Sequence, residues 1–109
     1  MSALPQVAYK VLTREEFTRW QADGTFAGSP ADRADGFIHL SAVDQLSETL
    51  QKHFIGQAGL VIATIDLAVL GDAVRWEPSR GGALFPHVYG ELPLAAMTGF
   101  ERLPFALTQ

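Results

Sequence analysis

Cysteine is absent from the 109 residues, and this absence excludes several kinds of chemistry at once. Without thiols the chain has no disulfide bond, no cysteine nucleophile and no sulfur ligand for zinc. Long apolar runs are absent too, because no stretch approaches the roughly 18 consecutive apolar residues of a membrane span. We therefore expect a soluble protein of the cytoplasm with no membrane partner.

Positive charge is also scarce, since 8 Lys and Arg residues stand against 12 Asp and Glu residues for a net charge of -4. Proteins that bind nucleic acid through its phosphates carry a surplus of basic residues, so no nucleic-acid partner is expected. Repeats and linker-like segments are missing, and 48% apolar residues suffice for one core. The chain is predicted to be a single domain over residues 1–109, with no oligomeric state assigned.

Two helices are predicted from capping signals and apolar spacing. The first covers residues 14–22, after a capping box formed by Thr13 and Glu16, and stops at Gly24. Ser41 is predicted to cap the second helix, whose apolar residues recur at three- and four-residue spacing.

Short β-strands account for most of the remaining apolar segments. Residues 60–67 are nearly continuously apolar, which predicts a central strand covered on both faces. Residues 25–35 are polar and rich in turn formers, and they are predicted to form a loop. The other predicted strands are residues 7–12, 37–40, 74–77, 85–89 and 97–103. Helices and short strands in this mixture indicate an α+β fold with a small β-sheet core.

Polar side chains alternate with apolar ones in three of the predicted strands. Side chains two residues apart on a strand point to the same face, so each segment presents a polar pair opposite its apolar positions. The pairs are His39 with Ser41, Arg75 with Glu77, and His87 with Tyr89. If the apolar sides face the core, the three polar pairs are free to meet in one cleft.

Two imidazoles and a carboxylate in one cleft suit general acid–base chemistry near neutral pH. Taken alone, His39 and His87 are equally consistent with structural histidines at strand ends. Glu77 beside Arg75 is, taken alone, more typical of a surface ion pair. A third interpretation is metal-assisted hydrolysis, although His39, Glu77 and His87 come from separate segments and match no compact metal motif, so no metal ligand is assigned.

Three segments of the sequence resemble a small bacterial family known as domain of unknown function 952. They are residues 35–41 (DGFIHLS), 75–77 (RWE) and 85–90 (FPHVYG). The resemblance extends over nearly the whole chain and includes Tyr9-Lys10, Trp20 and Gln45.

The resemblance implies a fold, because that family is grouped with the ADP-ribosyltransferase-like proteins, which include RNA 2'-phosphotransferases. The implied architecture is a split pair of small sheets around a nucleotide cleft. The implied function is binding of NAD or an ADP-ribose derivative, or ADP-ribosyl or phosphoribosyl transfer, with NAD as a substrate and no resident cofactor assigned. The alternative is a non-catalytic module that binds a small ligand or a protein.

Roles in this implied site go to the same side chains that strand alternation selects. The implied catalytic residues are Glu77, His39, His87 and Tyr89, and the implied binding residues are Ser41, Arg75 and Lys10. Glu77 would orient a ribose hydroxyl, Tyr89 would stack on a ring, and His39 would bind ribose or pyrophosphate. Arg75 and Lys10 would offer positive charge to phosphate.

Overall fold

A computed structural model of the chain describes residues 4–104 and 106. In chain order its helices and strands are β1 (Val7–Leu12), α1 (Arg14–Asp23), β2 (Thr25–Phe26), α2 (Pro30–Asp35), β3 (Ile38–His39), α3 (Leu46–His53), β4 (Val61–Asp66), α4 (Leu67–Leu70), β5 (Val74–Pro78), β6 (Leu84–Val88), β7 (Leu92–Pro93) and β8 (Met97–Arg102). Along this part of the chain, helices and strands alternate as far as α4, and the last four strands follow one another with no α-helix between them. Short 3-10 turns cover Gly71–Ala73, Arg80–Gly82 and Leu94–Ala96. The mixed α+β class is confirmed.

The strands form small antiparallel sheets with the orders β1-β4-β8, β2-β7 and β3-β6-β5 in the described part of the chain. Strand β4 is central in its sheet, as its apolar sequence predicts. The prediction that both its faces are covered is wrong. Val61, Ala63 and Ile65 are buried, whereas the residues between them are only half-buried. This alternation is typical of an antiparallel strand with one face on the core.

Helix α1 begins and ends where its capping signals predict. The Thr13 hydroxyl accepts a hydrogen bond from the Glu16 backbone N–H at 3.1 Å, and the Glu16 carboxylate accepts one from the Thr13 N–H at 2.9 Å. Gly24 ends the helix in the left-handed conformation, with φ of +80°. The helix buries Phe17 and Trp20 in the apolar core.

Residues 25–35 are not the predicted loop, because they contain β2 and the six-residue helix α2. Ser29 and Asp32 form a second capping box, and Pro30 occupies the first turn, where its missing N–H costs no hydrogen bond. The chain must also pass very close to this helix: a Cβ at Gly28 would lie 2.9 Å from the Asp32 Cβ, and the Gly28 φ is +111°. Only glycine meets both requirements without strain.

The predicted N-cap of the second long helix is also wrong. The Ser41 backbone forms an isolated bridge with Tyr9, with N···O distances of 2.9 and 2.8 Å. Helix α3 begins at Leu46, and the side chain of Gln45 accepts a hydrogen bond from the Ala42 N–H at 3.0 Å. Pairing with Tyr9 keeps Ser41 extended, so the helix starts later than the local signal indicates.

No helix in the described ranges is long and apolar enough to cross a membrane.

Candidate functional site

The sheet β3-β6-β5 brings the predicted polar residues together. His39 pairs directly with His87 across β3 and β6, and His87 pairs with Arg75 across β6 and β5. Residues that pair directly in a sheet share a face. Glu77 lies two residues along β5 from Arg75, which places it diagonally across from His87 on the same face.

An aromatic side chain joins the two histidines. The Phe37 ring stacks on His87 with centroids 4.0 Å apart, and it contacts His39 at 4.7 Å and Tyr89 at 5.3 Å. The His39 and His87 rings meet edge to face at 5.6 Å. Sequence reasoning missed Phe37, although its position two residues before His39 in the predicted strand 37–40 is the signal that could have found it.

Asp32 is the buried acid of this region, and its two oxygens bind different partners. Oδ1 lies 2.6 Å from Nδ1 of His39, and Oδ2 accepts a hydrogen bond from the Lys10 ammonium at 2.8 Å. Burial raises the pKa of Asp32, but the hydrogen bond from His39 and the charge of Lys10 outweigh burial and hold that pKa well below its usual range. Asp32 is therefore a carboxylate throughout the physiological range.

Asp32 was missed by sequence reasoning, although Ser29, Pro30 and Asp32 carry the capping-box signal that could have found it. The same carboxylate also accepts the Ser29 N–H at 2.9 Å and the His39 N–H at 3.1 Å. One side chain thus starts helix α2 and positions the strand residue that follows it.

His39 contacts a second carboxylate through its other nitrogen. Its Nε2 lies 2.9 Å from Oδ2 of Asp35, a residue on the exposed side of α2. Asp32 and Asp35 therefore each place a carboxylate oxygen against one nitrogen of the His39 ring.

Glu77 is the centre of a second polar cluster. Its Oε1 accepts hydrogen bonds from Nδ1 of His87 and from the Tyr89 hydroxyl, each at 2.7 Å. The bonds from His87 and Tyr89 lower the pKa of Glu77. The bond to Glu77 in turn raises the pKa of Tyr89. The Arg75 guanidinium lies over the Tyr89 ring, 4.6 Å from its centroid.

A cavity of ≈ 630 Å³ lies beside the first cluster. Its walls come from β1, the start of α1, α2, β3, α3 and β6. Four of the seven sequence-predicted site residues line it, namely Lys10, His39, Ser41 and His87. Glu77, Tyr89 and Arg75 are not among its lining residues: Arg75 and Glu77 lie on β5, on the far side of β6 from β3, and Tyr89 follows the end of β6. The structure therefore places these three behind His87 rather than in the cavity.

Lys10 and Ser41 are already engaged by protein groups. The Lys10 ammonium is almost fully buried and binds Asp32 and the His39 carbonyl oxygen, the latter at 3.1 Å. The Ser41 hydroxyl lies 2.7 Å from the Thr49 hydroxyl. Lys10 is thus largely neutralised where it lines the cavity, which argues against its expected role as a free phosphate ligand.

Metal coordination receives no support from the geometry. Within residues 4–104 and 106, no group of three His, Asp or Glu side chains is arranged to hold a metal ion. The carboxylates of Asp32 and Glu77 are hydrogen-bonded to histidine rings instead, and that of Asp35 lies 2.9 Å from His39 Nε2.

Comparison with known proteins adds a family and solved structures. The family model described as "Protein of unknown function (DUF952)" matches residues 11–100. The crystal structure of protein CC0527 from Caulobacter crescentus is 47% identical, with a TM-score of 0.87 over 89% of this chain and 85% of that one. The solution NMR structure of CC0527 is 46% identical, with a TM-score of 0.81 over 92% and 86%. No curated protein matches the chain.

Proposed function

The chain belongs to the DUF952 family of proteins of unknown function, and we propose that it binds a nucleotide-like small molecule, NAD or an ADP-ribose derivative, in the cavity beside His39 and His87. The proposed activity is transfer of an ADP-ribosyl or phosphoribosyl group. We call this space the histidine cavity.

The observation that carries the proposal is the pair of histidine rings in one cavity wall, each bonded to a carboxylate. His39 is bonded to Asp32, and His87 is bonded to Glu77. Carboxylate-oriented imidazoles in a cleft are typical of sites that bind polar ligands and move protons.

The size and the lining of the histidine cavity suit a ring-bearing ligand. Its ≈ 630 Å³ falls within the range of about 300–1,000 Å³ common for small-molecule sites. Aromatic side chains from three elements, Tyr9, Phe54 and Phe85, line it beside the histidines. Aromatic and imidazole rings provide flat contacts for a purine or a nicotinamide ring.

The charges of the lining favour the base and ribose over the pyrophosphate. Among the described lining residues, Glu16, Asp32 and Asp35 contribute carboxylates, and the ammonium of Lys10 is bound to Asp32. Negative charge near the ligand opposes phosphate groups. We therefore place the ring and ribose inside the cavity and the phosphates toward its mouth.

Calorimetric titration with NAD, ADP-ribose and adenosine tests this proposal. We expect saturable binding of at least one of them, and reduced affinity in His39→Gln and His87→Gln. Glu101→Gln, on exposed strand β8 in another sheet, is the matched control and should bind as the unaltered protein does. If none of the three ligands binds, the nucleotide proposal is wrong.

Turnover separates transfer from binding alone. Nicotinamide released from NAD in the presence of the protein would support the transferase activity. Binding without release, with the ligand recovered unchanged, would instead support the non-catalytic binding module.

The pH dependence of binding separates contact with phosphate from contact with the base. Imidazoles gain positive charge as the pH falls through the range from about 8 to 5. If the histidines approach the phosphates, ADP-ribose should bind more tightly at lower pH while adenosine should not. A site in which a metal holds the ligand should lose affinity instead, because protons compete with the metal for imidazole.

A further inference from the structure

We propose that the two histidines of the histidine cavity have different functions: His87 is its general base through Nε2, Glu77 is the positioning residue for His87, and His39 is a fixed contact that takes no part in proton transfer. This assignment rests on the cavity site proposed above and adds a proton-transfer step to it.

The hydrogen bonds of His87 leave one nitrogen available. Its Nδ1 lies 2.7 Å from the Glu77 carboxylate. An ionised carboxylate can only accept a hydrogen bond, so Nδ1 must be the donor. The ring proton is therefore held at Nδ1, and the lone pair is at Nε2. No residue in the described ranges bonds to that Nε2.

Nε2 of His87 also remains in contact with solvent. In the described part of the chain, Trp20 Nε1 is the side-chain polar atom that is both fully buried and without a hydrogen-bond partner. His87 Nε2 has no partner either, so it is not fully buried. The ring lines the cavity while Nδ1 is bonded to Glu77, which lies outside the cavity lining, so we infer that Nε2 faces the cavity. A ligand in the cavity can therefore reach the lone pair.

The ring of His87 is held in place from more than one side. Phe37 stacks on it at 4.0 Å, and Glu77 is itself anchored by the hydroxyl of Tyr89. The lowered pKa of Glu77 keeps its carboxylate charged, which stabilises the imidazolium formed when His87 takes up a proton. Orientation and charge compensation by a carboxylate are what a histidine base requires.

His39 has the opposite arrangement. Its Nδ1 and Nε2 lie 2.6 and 2.9 Å from carboxylate oxygens of Asp32 and Asp35. Carboxylates of the protein thus stand against both nitrogens of the ring, and a ligand hydroxyl would have to displace Asp35 to reach Nε2. His39 therefore contributes a fixed position rather than an open nitrogen.

The proposed step is a proton transfer from a hydroxyl group of the ligand, such as a ribose hydroxyl. The ligand O–H bond breaks as the Nε2–H bond of His87 forms, and the electron pair of the broken bond stays on the oxygen, which becomes a nucleophile. His87 becomes an imidazolium beside the Glu77 carboxylate. Return of the same proton to the ligand oxygen restores the neutral ring. The substrate class for this step is a nucleoside derivative with a free hydroxyl.

The tautomer of His87 is measured by two-bond hydrogen–nitrogen correlation spectra of the ¹⁵N-labelled protein at pH 8. We expect the proton on Nδ1 and a bare Nε2. Glu77→Ala should move the proton toward Nε2, whereas Glu101→Ala should not change the spectrum of His87. A proton found on Nε2 in the unaltered protein would overturn the assignment, and that result does not depend on how any variant folds.

Chemical reactivity distinguishes a base from a structural histidine. Diethyl pyrocarbonate modifies imidazole nitrogens that carry a lone pair, and the modified peptides are counted by mass spectrometry. We expect His87 to react severalfold faster than His39, whose two ring nitrogens both lie against carboxylate oxygens. The exposed His53 shows that the reagent is active. If His87 is modified no faster than His39 while His53 reacts, the assignment is refuted.

These readouts require no nucleotide. If His87 shows the expected tautomer and reactivity but no nucleotide binds, the base assignment stands and the ligand class is wrong. If nucleotides bind but His87 carries its proton on Nε2, the ligand class stands and the base assignment is wrong.

Discussion

Lys10 and Asp32 form an ion pair of 2.8 Å between side chains that are only 7% and 2% exposed. Lys10 lies on strand β1 and Asp32 on helix α2, so the pair joins residues that are 22 positions apart in sequence. Asp32 extends the connection to His39 on β3, so a single buried carboxylate joins three walls of the histidine cavity.

Replacing Asp32 by Asn should destabilise the fold strongly. The substitution leaves the buried Lys10 ammonium without a counter-charge, and breaking a buried pair in this way costs about 3–5 kcal/mol. Urea denaturation measures the loss. Asp35→Asn, at the more exposed carboxylate on the same helix, is the matched control and should cost less than about 1 kcal/mol. Equal losses in the two variants would contradict the role given to the buried pair.

Acid should destabilise the protein through Asp32. The folded-state pKa of Asp32 is well below its usual value of 3.8, so the folded state binds fewer protons than the unfolded state as acid is added. The resulting stability is fully present above pH 3.8 and is lost as the pH falls from there toward the folded-state pKa. Urea midpoints measured between neutral pH and pH 2 should fall in this acid range, and Asp32→Asn should make the decrease shallower. An unchanged slope in the variant would show that other carboxyl groups cause the decrease.

Thr13→Ala should remove one of the two hydrogen bonds of the capping box of α1, the one that the Thr13 hydroxyl accepts. The hydroxyl satisfies the Glu16 N–H, and loss of such an N-cap bond costs about 1 kcal/mol. Thr13→Ser keeps the oxygen and should restore most of the free energy of unfolding. Chemical denaturation of both variants tests this, and equal destabilisation by Ala and Ser would implicate packing of the methyl group instead.

The phenol of Tyr89 should titrate above the usual tyrosine value of 10.0 because Glu77 accepts its proton in a hydrogen bond. Ultraviolet titration in a Tyr9→Phe background observes Tyr89 alone, since the chain has two tyrosines. Glu77→Gln removes the charge and should lower the Tyr89 pKa toward its usual value. Glu101→Gln should leave it unchanged, and an equal shift in both variants would exclude the specific bond.

The sequence predicted local features whose causes are local. Helix α1 formed where Thr13, Glu16 and Gly24 indicated, because a capping box and a left-handed stop involve only neighbouring residues. Ser41 carried an equally good local signal and did not cap α3, because pairing with Tyr9, which is distant in sequence, kept it extended.

The candidate site was predicted only as far as strand alternation reaches. Alternation indicates which side chains share a face, and it selected His39, His87 and Glu77 correctly as neighbours. It carries no information on strand order, so it could not show that β5 lies beyond β6 and leaves Glu77 outside the cavity lining. Asp32 was missed because Gly28 and Pro30 were interpreted as turn formers, which hid the start of α2.

The most direct test of the histidine cavity as a ligand site is a titration of the ¹⁵N-labelled protein with ADP-ribose, followed by nuclear magnetic resonance. The account predicts that the largest shifts occur at cavity residues, including the rings of His39 and His87 and the backbone of Ser41. Phe100 and Arg102 on strand β8, outside the cavity lining, should stay unchanged. Shifts confined to β8, or no shifts at saturating ADP-ribose, would contradict the account.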